Sequence, residues 1–333
     1  MQGLQALSDC GIRKDLIMRT ITKTHTGNII SDDELKLEYL FVGDYGKENN
    51  IKADFLGYTK RIDKVEHKDV DITDKLVVTV SSQKGCPMKC DFCDCPKFGF
   101  YGNASLPELM AEITTGVSLS GIKHGKRLNI HFARMGEPTF NNSVIDAACK
   151  AEGIFNNMFD EYHPVVSTMC PKDNKNLSDF LQAWVKAGFV HGGQDGFGLQ
   201  FSINTLDEDA RNKAFNDKSL SLEEIGKLIS ELPIPKRRKY TLNFAVTSES
   251  NLDPALMDKY FDKTKCIVKI TPIHETHEAV INGYEIVKNF DVYEKFEKPL
   301  VDAGWDVIVF VPSEEEDADR ITCGNSLITK ASK

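Results

Sequence analysis

The segment "SSQKGCPMKCDFCDCPKFGF", residues 81–100, contains four of the nine cysteines of this 333-residue chain. Cys86, Cys90 and Cys93 form a C-x3-C-x2-C pattern directly after "LVVTVSS" (76–82), a β-branched run that predicts a strand. Three thiolates on one tight loop can bind three corners of a [4Fe-4S] cluster, which leaves the fourth iron free to chelate a small molecule. The segment therefore predicts a reactive metal centre at the end of a strand.

A zinc site is the alternative for the same cysteines. It would use Cys95 as the fourth ligand, in the pattern C-x3-C-x2-C-x-C. Zinc sites usually pair two separated clusters of ligands, whereas this spacing crowds four sulfurs onto one loop. The spacing favours the iron–sulfur cluster and leaves a zinc-bound interaction module as the non-enzymatic alternative.

Composition and charge restrict the location and the partners. No apolar run approaches the roughly 20 residues of a membrane span, and the polar start has no signal-peptide segment, so we expect a cytoplasmic protein without a membrane partner. In that reducing compartment the cysteines are expected to be ligands, catalytic thiols or buried residues rather than disulfides. The net charge of −9 argues against an extensive nonspecific grip on nucleic acid, and we expect no DNA partner. The basic run 236–239 is either a solvated strand entrance or an RNA contact.

The alternation of strand and helix patterns predicts the fold class. From about residue 76, β-rich runs alternate with helical stretches, which implies parallel strands covered by helices in an α/β fold. Six such units fit a partial (βα)6 barrel or an open parallel sheet, with catalytic groups at the carboxyl ends of the strands. The predicted strands are 76–82, 127–133, 163–168, 197–203, 240–246 and 266–272, and the predicted helices are 105–117, 143–155, 176–187, 206–231 and 253–262.

Extensions are expected on both sides of this repeat. "LKLEYLFVGD" and "IKADFLGYTKRI" look like short antiparallel strands around a polar turn, and a helix near 290–303 and a strand at 305–311 follow the repeat. The predicted organisation is a small β-containing accessory region at 1–75, a core at 76–275 and a C-terminal extension at 276–333.

"ARMGEPTFN" follows the second predicted strand. A Gly-Glu-Pro segment at that place can present backbone groups and a carboxylate to a ligand, although alone it would be an ordinary turn. Together with the cysteine loop, the segment resembles the radical S-adenosylmethionine (SAM) superfamily. That resemblance implies a radical SAM barrel in which SAM binds the open iron and is cleaved to a 5′-deoxyadenosyl radical.

Further segments resemble one branch, the RlmN/Cfr family of radical SAM RNA methyltransferases. They are "VSSQKGCPMKCDFC", "KFGFYGN", "MGEPTFN", "VVSTMCP", "LQFSINTLDEDAR", "RRKYTLNFAV", "VKITPIH" and "ITCGNSL", which occur in the family's order over roughly residues 64–326. The resemblance implies a [4Fe-4S] cluster, SAM, a ribosomal or transfer RNA substrate, and an electron donor of the flavodoxin or ferredoxin type.

The resemblance also implies roles for individual residues. Cys323 would be methylated by one SAM, and a radical generated from a second SAM would take a hydrogen from that methyl group. The resulting carbon radical would add to position 2 or 8 of adenine. Glu66 stands where the family has a glutamate thought to accept a proton, although an exposed strand-end glutamate explains it equally well. The implied SAM contacts are Gly136, Glu137, Ser167, Ser202, Asn204 and His274, where Asn204 and His274 replace the family's histidine and asparagine.

Two departures from the family pattern bear on the substrate. Thr79 occupies the position of the family's second catalytic cysteine, and a hydroxyl cannot form the disulfide that resolves a protein–RNA adduct. Turnover should then stall at the adduct unless another thiol, such as Cys95 or Cys170, reaches the site. The residues before Lys64 also do not match the family's RNA-binding domain. An RlmN-like enzyme with a different, non-methylating reaction or a non-ribosomal substrate is therefore the alternative function.

Overall fold

A computed structural model describes residues 19–43, 71–287, 290–312 and 314–328. In this part of the chain a ten-stranded sheet has the order β1-β2-β3-β4-β7-β8-β9-β10-β11-β12, and β5 and β6 form a small separate hairpin. The strands are β1 (Arg19–Lys23), β2 (Gly27–Asp32), β3 (Leu37–Val42), β4 (Leu76–Val80), β5 (Gln83–Gly85), β6 (Phe100–Asn103), β7 (Gly125–Phe132), β8 (Phe159–Thr168), β9 (Gly198–Ser202), β10 (Tyr240–Val246), β11 (Cys266–Pro272) and β12 (Val307–Val309).

From β4 onward, neighbouring strands of the large sheet are parallel, which confirms the predicted α/β fold with a mostly parallel sheet. All six predicted core strands are present, and the strand predicted at 305–311 pairs with β11 as β12. The helices are α1 (Leu106–Leu119), α2 (Ser143–Phe155), α3 (Leu177–His191), α4 (Glu208–Ala214), α5 (Leu222–Glu231), α6 (Pro254–Tyr260), α7 (His277–Ile281), α8 (Phe290–Asp302) and α9 (Glu314–Ala318).

The two faces of the parallel sheet differ in chemistry. Val78, Ile130 and Val166 belong to the large apolar core that the sheet forms with its covering helices. Successive side chains of a strand point to opposite faces, so the neighbours His131 and Ser167 lie on the other face. His131 and Ser167 make this second face the more polar one. Ser167 lies near the carboxyl end of β8, where the site residues were expected.

The helix predicted at 206–231 is wrong as one element, because the structure has α4 and α5 in its place. Asn216 and Asp217 adopt left-handed backbone angles, with φ of 52° and 55°, which end α4. Ser221 then starts α5 with a capping box to Glu224. The capping box predicted for α1, between Ser105 and Glu108, is confirmed.

The N-terminal region extends the sheet rather than standing apart from it. β3 pairs antiparallel with β2 on one side and with β4 on the other. The predicted partner of β3, "IKADFLGYTKRI" (51–62), and the polar turn before it lie outside the described residues. The boundaries 1–75, 76–275 and 276–333 stay a prediction. In the part of the chain that the structure describes, no helix has the length and apolar character needed to cross a membrane.

Candidate active site

The cysteine loop is clamped at its base by the β5–β6 hairpin, in which Gly85 pairs with Phe100. The amide of Cys86 donates a hydrogen bond of 3.0 Å to the carbonyl oxygen of Gly99. Gly85 has a φ of 79°, and a Cβ atom there would lie 1.9 Å from the same carbonyl oxygen, so only glycine fits. The strand end and this turn together place Cys86, Cys90 and Cys93 in one short loop.

The three thiols of the loop are surrounded by apolar side chains. Cys86 and Cys90 pack against a cluster formed by Met88, Phe92, Phe140, Met169 and Phe215. Burial raises the pKa of Cys86 to about 12 and that of Cys90 well above its ordinary value. The hydrogen bond that the Cys93 thiol donates to Cys95, and then burial, also raise the pKa of Cys93. Without a bound cation, this environment keeps the thiols protonated.

The donor set fits an iron–sulfur cluster. Each thiolate of a [4Fe-4S] cluster binds its own iron at a separate corner, so three thiols on one short loop can hold three corners. Cys95, the fourth ligand of the zinc alternative, is buried, and its sulfur lies 3.4 Å from the carbonyl oxygen of Arg134 and in contact with the Cys93 thiol. The spacing of the cysteines, rather than the position of Cys95, therefore favours the cluster over zinc.

The Gly-Glu-Pro turn lies against the base of the cysteine loop. Gly136 has a φ of 94°, and a Cβ atom there would lie 2.5 Å from the Cβ of Gln83. The Glu137 carboxylate accepts hydrogen bonds from the amide and the hydroxyl of Thr139, at 3.1 and 2.7 Å, and from the amide of Met169 at 3.0 Å. Desolvation raises the pKa of Glu137. The Thr168 side chain is a fourth hydrogen-bond partner. Since a carboxylate has about four acceptor sites, Glu137 connects this turn to the end of β8, and a ligand amino group would have to share one of these sites.

The other predicted SAM contacts lie at the carboxyl ends of successive strands. Ser167 is the next-to-last residue of β8, Ser202 is the last residue of β9, and Asn204 follows it with a left-handed φ of 65°. Asn204 lines a cavity of about 490 Å³ together with Ala245, Ile273 and Tyr284, among others. The cavity borders the cysteine loop, because the rings of Tyr284 and Phe92 meet edge to face at 6.1 Å.

The segment that carries Cys323 lies directly on the cysteine loop. The amide of Asp94 donates a hydrogen bond of 2.9 Å to the carbonyl oxygen of Gly324, and the Cys93 sulfur lies 3.9 Å from that oxygen. The Thr276 hydroxyl, just before α7, donates to the carbonyl oxygen of Phe92 at 2.7 Å. The structure thus brings Cys323 and the three predicted cluster ligands together, although 230 positions of sequence separate Cys93 from Cys323.

The Cys323 side chain is accessible to solvent. Protein atoms still surround its sulfur densely enough for desolvation to raise its pKa, and the Cys95 thiol acts in the same direction. His274 lies on the same side, with its Nδ1 atom 3.4 Å from Oδ1 of Asp317. Asp317 also accepts a hydrogen bond of 2.7 Å from the hydroxyl of Thr322, the residue before Cys323. His274 therefore borders the Cys323 segment.

Thr79 and the two candidate replacement thiols occupy different environments. Thr79 is half-buried on β4, in register with His131 of β7. Cys95 is close enough to Cys323 for its charge to affect the pKa of that thiol. Cys170 packs in the main core, and burial raises its pKa far above the ordinary value. Of these two thiols, Cys95 is therefore the better placed to act with Cys323.

One buried carboxylate near Cys323 was not predicted from the sequence. Glu38 of β3 is fully buried, and its carboxylate binds the Arg134 side chain and the amides of Leu327 and Ile328. A single charged residue in the otherwise apolar run "LEYLFV" was the available signal. Glu66, the predicted proton acceptor, lies outside the described residues, and its role stays a prediction.

The basic run 236–239 is largely engaged within the protein. The Lys236 amine donates to the carbonyl oxygen of Phe189 at 2.7 Å, and the Lys239 amine binds the Asp306 carboxylate at 2.7 Å. These contacts favour the interpretation that the run is a strand entrance rather than an RNA contact.

A second cavity, of about 350 Å³, borders Glu161 and His163 in the first half of β8, away from the strand ends that carry the predicted site.

Comparison with known proteins shows similarity to one group of enzymes. The chain is 29% identical over 202 residues to the dual-specificity RNA methyltransferase RlmN of Nautilia profundicola, which covers 57% of this chain and 52% of that protein. It is 24% identical to the protein of the same name from Helicobacter pylori over 294 residues, 88% of this chain and 74% of that protein. The alignments with the Nautilia protein and with the protein of the same name from Nitratiruptor span about half the length of those relatives. No family model matches the chain.

A solved structure shares the fold. A radical SAM methyltransferase from Sphaerobacter thermophilus superposes with a TM-score of 0.64 at 15% sequence identity, over 97% of this chain and 85% of that protein. At this identity the superposition is evidence for the fold alone.

Proposed function

We propose that this RlmN/Cfr-like chain, which has a radical SAM fold, is an enzyme that methylates an adenine carbon in ribosomal or transfer RNA. The observation that carries the proposal is the contact between the cysteine loop and the segment of Cys323, through the hydrogen bond from Asp94 to Gly324. This contact brings the predicted methyl-carrying thiol beside the loop proposed to hold the cluster. The relatives named as RNA methyltransferases support the substrate class.

Cys86, Cys90 and Cys93 would hold the cluster as thiolates. The bound cluster and SAM supply the one-electron cleavage that generates a radical. Because burial raises the pKa of these thiols, binding of the metal must displace their protons. The surrounding apolar side chains, among them Met88 and Phe92, would reduce the contact of a bound cluster with water.

The strand ends would bind and orient SAM. Gly136 and Glu137 are proposed to contact its amino group, and Ser167, Ser202, Asn204 and His274 its polar and nucleoside parts. The polar cavity beside Asn204 offers room for a nucleoside. Cys323 would accept the methyl group, which requires its thiol to lose a proton. Arg134 and Lys269 favour that loss, since their positive charges lower the pKa of Cys323 against the effect of burial.

Release of the product would need a thiol in place of Thr79. We propose Cys95 for this role, because its charge acts on Cys323 whereas Cys170 is buried in the main core. An electron donor of the flavodoxin or ferredoxin type and a location in the cytoplasm stay predictions from the sequence.

The test is a methylation assay with reconstituted protein. The protein is incubated anaerobically with a reductant, SAM labelled in its methyl group, and ribosomal or transfer RNA, and the digested RNA is examined for 2- or 8-methyladenosine. We expect labelled methyladenosine or a protein–RNA adduct from the parent protein and neither from Cys323→Ala. Release of 5′-deoxyadenosine without either product would contradict the proposal.

A further inference from the structure

A buried ion pair lies beneath the segment that carries Cys323. The Arg134 Nε atom donates a hydrogen bond of 2.8 Å to Oε1 of Glu38, and Nη2 lies 2.5 Å from the same oxygen. The side chains are 2% and 0% exposed. Arg134 comes from the loop after β7, and Glu38 from the middle of the antiparallel part of the sheet, so the pair joins two regions that are distant in sequence.

Both members of the pair also bind the backbone of the C-terminal segment. The Glu38 carboxylate accepts hydrogen bonds from the amides of Leu327, at 3.0 Å, and Ile328, at 2.8 Å. The Nη1 atom of Arg134 donates to the carbonyl oxygen of Arg320 at 2.8 Å. Residues 320 and 327–328 are therefore fixed on either side of Cys323, and the thiol lies on a short span between two anchors.

The chemistry of these contacts makes them specific. Glu38 accepts from two amides, from Arg134 and from the Ser31 hydroxyl at 2.9 Å, so a group with fewer acceptor sites cannot replace it. Hydrogen bonds to an ionised acceptor are about twice as strong as those between neutral groups. Arg134 offers separate nitrogens to Glu38 and to the carbonyl oxygen of Arg320, which a lysine cannot do in the same geometry.

We propose that Glu38 and Arg134 are positioning residues, which hold the Cys323 thiol at the cysteine loop by anchoring the segment 320–328 on both sides. The inference rests on the proposed function in one respect, since it takes Cys323 as the methyl-carrying thiol. It assigns the antiparallel strands β2 and β3 a part in assembling the site, because Glu38 and Ser31 lie on them.

Hydrogen exchange of the protein without cluster or SAM tests the anchoring directly. The variants are Glu38→Gln and Arg134→Lys, and Glu112→Gln is the matched control. Glu112 is likewise buried and accepts from the amide of Ser81, while the Ser81 hydroxyl binds the carbonyl oxygen of Glu38, so the control alters the same neighbourhood. We expect exchange in the peptide 320–328 to become at least about tenfold faster in the two anchor variants and to stay unchanged in the control.

The exchange of the sheet strands separates a local effect from a global one. Unchanged protection of residues 320–328 in either folded anchor variant overturns the proposal, and so does an equal loss of protection in β7–β11. Arg134→Lys keeps the buried positive charge, so it decides the question if Glu38→Gln does not fold.

A second readout uses the loaded protein. In both anchor variants, mass spectrometry of the C-terminal peptide is expected to show at least about a fivefold loss of Cys323 methylation, while iron and sulfide content stays at the parent level. If the parent protein itself carries no methyl group on Cys323, the proposed function fails, and the exchange experiment still decides whether the two residues anchor the segment.

Discussion

The backbone amide of Asp94 donates a hydrogen bond of 2.9 Å to the carbonyl oxygen of Gly324, so the residue after the third loop cysteine is bonded to the residue after Cys323. The Asp94 carboxylate also accepts from the amide of Glu278 at 3.0 Å and lies 3.2 Å from the Arg320 guanidinium. One aspartate therefore joins the cysteine loop, the start of α7 and the C-terminal segment. Changes at this junction should affect methylation of Cys323 more than they affect the cluster.

Substitution of Gly324 by alanine tests how closely the two segments approach. Gly324 has a φ of 85°, and a Cβ atom there would lie 3.2 Å from Cγ2 of Thr276 and 3.4 Å from the carbonyl oxygen of Phe92. We expect a loss of about 1–2 kcal/mol in the free energy of unfolding from the left-handed backbone, and a several-fold loss of Cys323 methylation from displacement of the segment.

Gly304→Ala is the matched control for that variant. Gly304 also has a positive φ, 84°, but a Cβ atom there would meet no atom within 4 Å. It should show a similar loss of stability in urea unfolding and parent-level methylation of Cys323 in mass spectrometry. Equal methylation in both variants would mean that the close approach at Gly324 has no consequence for the thiol.

Replacement of Cys90 by alanine tests the cluster. We expect iron and sulfide content to fall sharply, with loss of the absorbance near 400 nm that thiolate-bound iron gives, and release of 5′-deoxyadenosine to stop. Cys149→Ala is a suitable control because Cys149 is a half-buried thiol on α2, outside the loop. Parent-level iron and deoxyadenosine release in the Cys90 variant would refute the assignment of the three ligands.

Restoration of a thiol at position 79 tests the proposed departure from the family pattern. A threonine cannot form a disulfide with Cys323, so turnover by the parent protein should be slow or dependent on Cys95. We expect Thr79→Cys to raise the number of turnovers at least several-fold and to reduce the amount of protein–RNA adduct seen on denaturing gels. In the parent background, Cys95→Ser should increase the adduct. No change in either variant would exclude thiol exchange at this place.

The pH dependence of stability should report on His131. Burial lowers the pKa of His131 to about 3, and the positive charges of Lys269, Arg238 and Lys75 contribute to the shift. In the unfolded chain the pKa of His131 is about 6.5, so the imidazole binds a proton below that pH. In the folded protein it does not. The folded state should therefore lose stability as the pH falls from about 6.5 toward 3, by up to about 1.4 kcal/mol per unit from this group.

Urea unfolding at pH 7 and pH 5 measures this effect. His131→Gln should reduce the difference in unfolding free energy between the two pH values, and the exposed His124→Gln should not. Part of the slope will remain in both, because burial also lowers the pKa of His163. An unaltered slope in His131→Gln would show that the pKa of His131 is not lowered by folding.

The parallel part of the fold was predictable because its strands have a strong local pattern. Runs such as that of β10 are buried almost throughout and lie between helices with clear caps, so sequence alone indicates both type and order. The boundary between α4 and α5 was missed because the helical pattern continues across Asn216 and Asp217, whose left-handed geometry depends on the surrounding contacts. Short antiparallel strands such as β1 and β2 have a weaker pattern, and they were not predicted.

The residues of the candidate site also fall into a predictable group and a group that the sequence does not indicate. Cys86, Cys90 and Cys93 are close in sequence, so their grouping follows from local spacing. The role of Glu38 depends on Arg134 and on Leu327, which are far away in the chain, and no local pattern reports such a contact. An isolated carboxylate in a buried strand indicates only that a partner must exist. Its identity required the three-dimensional structure.

The distance in sequence between Glu38 and Ile328, 290 positions, has a consequence for biosynthesis. At a translation rate of roughly 5–20 residues per second, the glutamate leaves the ribosome roughly 15–60 seconds before the amides that it binds. During that time a nascent chain can assemble its parallel strands and still have no fixed place for the Cys323 thiol. Completion of the proposed site is thereby tied to the synthesis of residues 320–328, and a chain that ends before residue 320 should fold its parallel strands without a site for methylation.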